Sequence, residues 1–298
     1  MTLRRYLQLD VFADRPGAGN PLAVVLDADG LDDARMQAIA RWTRLPETTF
    51  VFPPTQPGAD YRVRMFSPRR EVPFAGHPSV GTAHVVLEAG LARATGGRIV
   101  QEGVAGVLPL SVEGDGAGRT IAVRTPRARV VEVAETGDAR LADALRGLEA
   151  GALPPALMDG GRRWWLVELA SEAALRGAAP DWDAIAQLAE RTESMGLCAF
   201  ARADEGRDYD LVVRAFVGAP ARFEDAASGA ANATLAAWLN HNGSLPGRLQ
   251  PDGSHRYSVS QGREVGFDAR LQLRVDADGE VWSGGQVCNV VRGTIDWP

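Results

Sequence analysis

Two segments of the sequence share a pattern that could bind a small anion. Each is a turn of small residues leading into an apolar stretch: "FAGHPSVGTAHVV" starts at Phe74 and "AASGAANATLAAW" starts at Ala226. Small side chains leave the first N–H groups of a helix uncovered, and those groups favour negative charge. The pattern therefore predicts a site for the carboxylate of a small molecule. The turn residues predicted to contact this substrate are Gly76, Ser79, Ser228, Gly229 and Ala230.

The two turns belong to an approximate internal repeat. Gly76 and Gly229 are 153 positions apart, whereas the upstream strands at 63–66 and 213–216 are 150 positions apart. The difference indicates a gap of three residues between the strand and the turn. A diverged duplication of this kind predicts two similar halves, each of which presents one small-residue turn.

Short strands and a few helices must position these turns. "LDDARMQAIARWTR" has apolar residues at helical spacing, with Asp32 as the predicted N-cap and Pro46 as the residue that ends the helix. "TTFVFP" is typical of a strand, so Glu47 falls at a helix-to-strand junction. The segments 78–89 and 228–241 are apolar on every face, which predicts helices wrapped by a curved sheet.

Composition excludes several classes of function. The chain has 298 residues, 45% hydrophobic content and a net charge of −6, and its arginines are scattered, so we expect a globular protein that binds no nucleic acid. No apolar run is long enough to span a membrane, and the N-terminal segment has no signal-peptide core, which predicts a cytoplasmic location. Two cysteines and no His/Cys cluster predict neither a disulfide framework nor a bound metal.

Five segments, in order along the chain, resemble the phenazine-biosynthesis PhzF-like family, which shares its fold with diaminopimelate epimerase. They are "DVFADRPGAGNPLAVV", "LPETTFV", "RMFSPRREVPFAGHPSVGTAH", "FEDAASGAANATLAAWL" and "VVRGTI". The resemblance implies an α+β fold of two pseudo-repeated domains, each a β-barrel-like sheet wrapped around a central helix. It also implies isomerase chemistry without a cofactor, an active site in the cleft between the domains, and a homodimer. We predict an N-terminal half at 1–125, completed by a C-terminal strand at about 280–298, and a C-terminal half at 126–279.

The resemblance also assigns roles to three side chains. The acid/base carboxylate of the family falls on Glu47, its histidine on His77 and its aspartate on Asp225. A glutamate in a closed apolar cleft has a raised pKa and can take and return a proton, so Glu47 is the predicted proton shuttle. His77 is predicted to relay protons or orient groups from the first turn of a helix. Asp225 either holds a ligand amine or hydroxyl, orients His77, or caps the second helix, and the sequence leaves these readings open.

Epimerases of this fold use one cysteine from each turn as opposed acid and base. Those positions here are Ala75 and Ser228, so a two-thiol mechanism is disfavoured. The repeat is also asymmetric, because the position equivalent to Glu47 is Gly196 or Leu197. A single carboxylate favours a proton moved between positions on one face of the substrate.

The second turn departs from the family pattern. Ala230 stands where a hydroxyl is common, and Asn232 introduces an amide, so the contacts to substrate are expected to differ. The leading hypothesis is a cofactor-independent isomerase that moves a proton on a small carboxylate-bearing substrate. The alternatives are a carboxylate-binding protein that has lost catalysis and, disfavoured by the cysteine count, an epimerase.

Overall fold

The computed structural model of the chain describes residues 3–135 and 137–297. The outer ends of the predicted halves, residues 1 and 298, lie outside the described residues. The chain forms two compact units. The first unit is Met1–Arg124 together with Gly284–Pro298, and the second unit is Thr125–Ser283.

The first unit is built mainly of strands, with two helices. In chain order its elements are β1 (Leu3–Val11), β2 (Asn20–Val25), α1 (Asp33–Thr43), β3 (Glu47–Phe52), β4 (Tyr61–Phe66), β5 (Glu71–Val72), α2 (Gly76–Glu88), β6 (Arg98–Gly103), β7 (Gly106–Glu113), a 3₁₀ turn (Gly116–Gly118) and β8 (Thr120–Arg124). Strands β7 and β8 pair antiparallel and form a hairpin through this turn.

The second unit continues the alternation of strands and helices. Its elements are β9 (Arg129–Val133), α3 (Ala139–Ala142), β10 (Ala156–Asp159), β11 (Arg163–Glu168), α4 (Glu172–Gly177), α5 (Trp182–Thr192), β12 (Gly196–Arg202), β13 (Leu211–Val217), β14 (Phe223–Asp225), α6 (Gly229–His241), β15 (Arg248–Leu249), β16 (His255–Gln261), a 3₁₀ turn (Arg263–Val265) and β17 (Ala269–Val275). Strand β18 (Val281–Gly285) crosses the boundary between the units, and β19 (Val287–Asp296) pairs with β1 in the first unit.

Helix α1 lies within the segment that the sequence predicts, with the predicted N-cap. The side chain of Asp32 accepts a hydrogen bond from the Arg35 N–H group, which confirms the N-cap. The helix ends at Thr43 because Arg44 adopts a left-handed conformation, with φ of 58°. Pro46, the predicted helix breaker, therefore lies beyond the end of the helix and just before β3.

Helices α2 and α6 are buried on nearly all sides, as their uniformly apolar composition predicts. Within the first unit, α2 contacts β1, β2, β3, β4, β6, β8 and β19. Within the second unit, α6 packs against β10, β11 and β17. Each unit is thus a sheet that curves around one central helix, which confirms the predicted α+β class.

Strand pairing repeats between the units. A parallel pair is followed by an antiparallel neighbour in both: β2 with β3 and then β4, and β11 with β12 and then β13. The short strands β5 and β14 then pair antiparallel with β4 and β13. A second parallel contact closes each pattern, between β4 and β6 and between β13 and β16.

An arginine–glutamate pair shows where the two copies diverge in length. Arg64 donates two hydrogen bonds to Glu71, at 2.6 and 2.7 Å, and Arg214 donates two to Glu224, at 3.0 and 2.8 Å. The arginines are 150 positions apart and the glutamates 153. The gap of three residues therefore lies in the loop between these partners, and the second copy has the longer loop.

Candidate active site

Glu47 and His77 come together in the first unit. Glu47 is the first residue of β3, and His77 is the second residue of α2. Glu47 Oε2 lies 3.4 Å from His77 Nε2, and the Glu47 side chain is only 16% exposed. Two of the three predicted catalytic side chains therefore face each other in a largely buried position.

The His77 ring is neutral, and its tautomer is fixed. Burial lowers the pKa of His77 to about 3, opposed by a hydrogen bond to the backbone of Pro21. Proline has no N–H group, so the Pro21 carbonyl accepts and the imidazole donates. Nε2 is buried and makes no hydrogen bond to any described residue, so the donor is Nδ1. Nε2 therefore presents a lone pair toward Glu47, and the contact between the two side chains is not an ion pair.

The start of α2 has no side-chain cap. Its N-cap is Ala75, whose methyl group cannot accept a hydrogen bond. The first N–H group to bond back into the helix is that of Ser79, which donates to the Ala75 carbonyl at 3.3 Å. Pro78 has no N–H group, so Gly76 and His77 carry the first-turn donors that the helix itself leaves unsatisfied.

Asp225 is built into the turn that leads to α6. Its Oδ1 accepts from the Ala227 N–H group at 3.3 Å, and the Ser228 hydroxyl donates to its carboxylate. Burial raises the pKa of Asp225, while these two hydrogen bonds and the positive charge of Arg162 oppose the rise. The carboxylate thus interacts with the N-cap of the helix through Ser228.

The start of α6 is capped, in contrast to that of α2. Ser228 Oγ accepts from the Ala231 N–H group at 3.3 Å, and the Asn232 N–H group donates to the Ser228 carbonyl at 3.1 Å. Gly229 and Ala230 then carry the remaining first-turn donors. Both predicted turns therefore offer two N–H groups each, from adjacent residues at the start of a buried helix.

Ser79 and Asn232 perform the same task in the two copies. Ser79 Oγ donates to the Ala75 carbonyl at 3.0 Å, and Asn232 Nδ2 donates to the Ser228 carbonyl at 2.8 Å. Both side chains are almost fully buried. The hydroxyl of Ser79, predicted to contact substrate, is thus used within its own helix.

The second unit has no counterpart of either Glu47 or His77. Strand pairing aligns Thr48 with Leu197, so Glu47 corresponds to Gly196, one of the two positions that the sequence indicated. A Cβ atom on Gly196 would lie 2.1 Å from the Phe216 carbonyl oxygen, so this position excludes any side chain. His77 corresponds to Ala230 at the repeat spacing of 153. A second base at these positions is therefore absent from the described part of the chain.

Other candidate centres do not form among residues 3–135 and 137–297. No group of three or more His, Cys, Asp or Glu side chains could hold a metal ion there. Cys198 is buried in β12, where burial raises the pKa of its thiol to about 12, and Cys288 lies on β19. Trp164 and Trp165 are buried in β11 as packing residues. No described helix is both long and apolar enough to cross a membrane.

Two contacts at these helix starts, one in each unit, were not predicted from the sequence. Pro21 lies inside the motif "DVFADRPGAGNPLAVV", but its contact with His77 joins positions 56 apart in sequence. Gln261, at the end of β16, bonds to Ser228, Asn232 and the Asp225 carbonyl. No local pattern singles out Gln261, and only the pairing of β13 with β16 brings it to the turn.

The fold and this arrangement define a class: an α+β protein of two repeated halves with a carboxylate and a neutral imidazole at one buried helix start. The model of the family described as "Phenazine biosynthesis-like protein" matches residues 9–291. A trans-2,3-dihydro-3-hydroxyanthranilate isomerase from Pseudomonas aeruginosa is 34% identical over 96% of this chain and 95% of its own length. "Antisense-enhancing sequence 1" from Schizosaccharomyces pombe is 31% identical over 98% of this chain and 99% of its own.

A solved structure agrees with these sequence matches. A PhzF-family phenazine biosynthesis protein from Bacillus anthracis superposes with a TM-score of 0.85, covering 99% of this chain and 100% of that chain at 24% identity. This likeness confirms the predicted fold. The chain belongs to the phenazine biosynthesis-like (PhzF) protein family. The prediction that the chain is an isomerase is confirmed by relatives that are named isomerases.

Proposed function

We propose that the chain is a cofactor-independent isomerase that moves a proton between two positions on a small carboxylate-bearing substrate, with Glu47 as general acid/base. The observation that carries the proposal is the 3.4 Å approach of Glu47 Oε2 to the Nε2 atom of His77. A carboxylate beside a neutral, buried imidazole is suited to hold a proton briefly and return it.

The proposed reaction needs no net change in charge. The Glu47 carboxylate removes a proton from one substrate carbon, and the electron pair of that C–H bond shifts into the substrate. The resulting carboxylic acid can donate a hydrogen bond to His77 Nε2, whose lone pair is free because Nδ1–H donates to Pro21. Glu47 then delivers the same proton to a second carbon, which completes the isomerisation.

The asymmetry of the repeat supports return of the proton to the same face. Racemases that work on opposite faces need two matched groups, whereas Gly196 stands where a second carboxylate would be. The first-turn N–H groups of Gly76 and His77, which have no partner within the helix, would bind the substrate carboxylate. In this proposal Asp225 and the Gly229 and Ala230 N–H groups supply further substrate contacts.

The name of one relative suggests the substrate to test first. The Pseudomonas aeruginosa protein acts, by its name, on trans-2,3-dihydro-3-hydroxyanthranilate, a small ring that carries a carboxylate, an amine and a hydroxyl. We propose a substrate of this chemical class for the present chain. A homodimer and a cytoplasmic location remain predictions from the sequence.

Deuterium exchange tests the role of Glu47. The wild type and Glu47→Gln are incubated with the dihydrohydroxyanthranilate in D₂O, and isotope incorporation is followed by NMR. Glu47→Gln should lose at least about a hundredfold in exchange rate while its affinity stays within a few-fold, because general-base catalysis contributes about 10²–10⁴ to the rate. Glu88→Gln, at the last residue of α2, is the matched control and should exchange like the wild type. Exchange at the wild-type rate in Glu47→Gln would refute the assignment.

A second candidate function is a carboxylate-binding protein without catalysis. The observation that favours it is the departure of the second turn from the family pattern, where Asn232 is tied to Ser228 and Gln261. This candidate predicts that the wild type binds the same molecule and releases it unchanged, with no deuterium incorporated. The exchange experiment therefore separates the two candidates.

A further inference from the structure

One fully buried side chain holds three parts of the second turn together. Gln261, the last residue of β16, accepts hydrogen bonds at Oε1 from the Ser228 N–H group at 3.2 Å and from Asn232 Nδ2 at 2.8 Å. Its Nε2 donates to the Asp225 carbonyl at 2.9 Å. The amide of Gln261 thus links the backbone on both sides of the turn to the first turn of α6.

The end of β16 is shaped for this close approach. Gly262 follows Gln261 and has a φ of 94°, and a Cβ atom on it would lie 2.4 Å from the Ala226 carbonyl oxygen. A side chain at this position would push the strand end away from the turn. The contact between Gln261 and the turn therefore depends on a glycine that permits the backbones to meet.

We call the contact of Gln261 with the turn the Gln261 clamp, and the described residues of the first unit form no equivalent of it. Val63 and Val213 correspond in the repeat, and β4 pairs with β6 in the same parallel sense as β13 pairs with β16, so Gly103 occupies the position of Gln261. Ala75 also leaves the start of α2 without a side-chain cap. The clamp is therefore a feature of the second unit alone and does not come from the shared architecture.

The clamp decides which donors remain at the start of α6. Gln261 takes the Ser228 N–H group, and the Ser228 hydroxyl takes the Ala231 N–H group. Gly229 and Ala230 keep the two donors that a ligand can use. The Gln261 amide also holds the backbone carbonyl of Asp225, while the Ala227 N–H group and the Ser228 hydroxyl hold its carboxylate.

Asn232 has one destabilising feature, which a purely structural role does not explain. Its Oδ1 atom is buried and makes no hydrogen bond to any described residue, and an unpaired buried acceptor is destabilising. Ser79 makes the equivalent bond to an N-cap carbonyl in the first unit with only a hydroxyl. What Asn232 adds, relative to a serine, is its link to Gln261.

We propose that Gln261, together with Asn232, is a positioning residue of the substrate site: it holds Asp225 and the N–H groups of Gly229 and Ala230 in place for the ligand. The inference rests on the proposed function, since it takes these groups to contact the substrate. Gln261 itself acts through the turn and does not touch the reacting atoms.

Binding of a stable analogue tests this role without requiring turnover. The probe is 3-hydroxyanthranilate, which has the same three polar groups as the dihydro compound, and its Kd is measured by calorimetry. The variants are Gln261→Met and Asn232→Ser. Asn232→Ser can still bond to the Ser228 carbonyl, as Ser79 does to Ala75, but loses the link to Gln261. Gln101→Met is the matched control, since Gln101 is a buried glutamine on β6 in the first unit.

The inference predicts about a tenfold rise in Kd for Gln261→Met and a smaller rise for Asn232→Ser, with the Kd of Gln101→Met unchanged. With the dihydrohydroxyanthranilate, KM should rise more than kcat falls. Asn232→Ser should keep the melting temperature of the wild type, so a loss of affinity there cannot come from unfolding.

The outcomes separate this inference from the proposed function. Wild-type Kd and KM in both Gln261→Met and Asn232→Ser would overturn the inference, whatever the activity. Weaker binding in both variants, in a protein that exchanges no deuterium, would support it while refuting the isomerase. A wild type that fails to bind the probe would overturn the inference, whereas deuterium exchange by the wild type decides the proposed function.

Discussion

The neutral state of His77 predicts a specific dependence of stability on pH. Burial lowers the pKa of His77 from its ordinary value of 6.5 to about 3. Below pH 6.5, His77 therefore binds a proton in the unfolded chain but stays unprotonated in the folded chain until the pH approaches 3. The stability associated with the neutral ring is complete above that pH and is lost progressively toward pH 3.

The size of the effect follows from the width of this window. Each pH unit below 6.5 costs about 1.4 kcal/mol, so at pH 5.0 the wild type should have lost about 2 kcal/mol through His77. His77→Gln carries no titrating group at this position and should escape this loss. Carboxylates remote from position 77 are common to both proteins, so the difference between the two reports on His77 and on Glu47, its neighbour at 3.4 Å.

Urea unfolding at pH 7.5 and 5.0 measures this difference. The free energy of unfolding of the wild type, relative to His77→Gln, should fall by about 2 kcal/mol between the two pH values. His241→Gln, which removes an exposed histidine at the end of α6, controls for the loss of one imidazole from the chain. A difference between wild type and His77→Gln that stays constant would refute a neutral His77, and with it the proposed lone pair toward Glu47.

Three further predictions concern the second unit. Gly196→Ala should destabilise the protein by at least about 3 kcal/mol in thermal unfolding, because the new Cβ would meet the Phe216 carbonyl oxygen at 2.1 Å; a wild-type melting temperature would contradict that geometry. Ser228→Ala should lower the free energy of unfolding, measured in urea, by about 1 kcal/mol because the helix cap is lost. It should also raise the pKa of Asp225 further, measured by carboxyl NMR, because the carboxylate loses a hydrogen bond. Glu224→Gln should destabilise the protein by about 3–5 kcal/mol, and by more than Glu71→Gln does. The reason is burial: the Arg and Glu side chains are 6% and 4% exposed in the second copy but 22% and 30% exposed in the first. Equal effects of the two substitutions in urea unfolding would argue against burial as the cause.

Local sequence patterns predicted the central helices and the repeat. The segments around Gly76 and Gly229 are apolar on all faces, and both form helices that sheets surround. The offsets of 150 and 153 indicated a gap of three residues, which the paired glutamates Glu71 and Glu224 place in one loop. Helix α1 ends at Thr43 through the left-handed conformation of Arg44, two residues before the predicted helix breaker Pro46.

Residue types alone did not decide the role of Asp225. The sequence left open whether this carboxylate caps the second helix or holds a ligand. In the structure it bonds to the Ala227 N–H group and to the Ser228 hydroxyl, which itself caps α6. The turn therefore uses Asp225 structurally, and the proposed function gives the same carboxylate a second role as a substrate contact.

The sequence by itself determined the family, the two small-residue turns and the single carboxylate at the head of β3, because motifs, helix starts and repeat offsets are local features of the chain. Tertiary structure determined the protonation state of His77 and the hydrogen-bond partners of the second turn. His77 is neutral, with its proton on Nδ1, because folding buries the ring against the Pro21 carbonyl, and the second turn is clamped because β16 pairs with β13 and ends at Gln261. Burial and hydrogen-bond partners depend on residues distant in sequence, so no pattern within either motif could have revealed them.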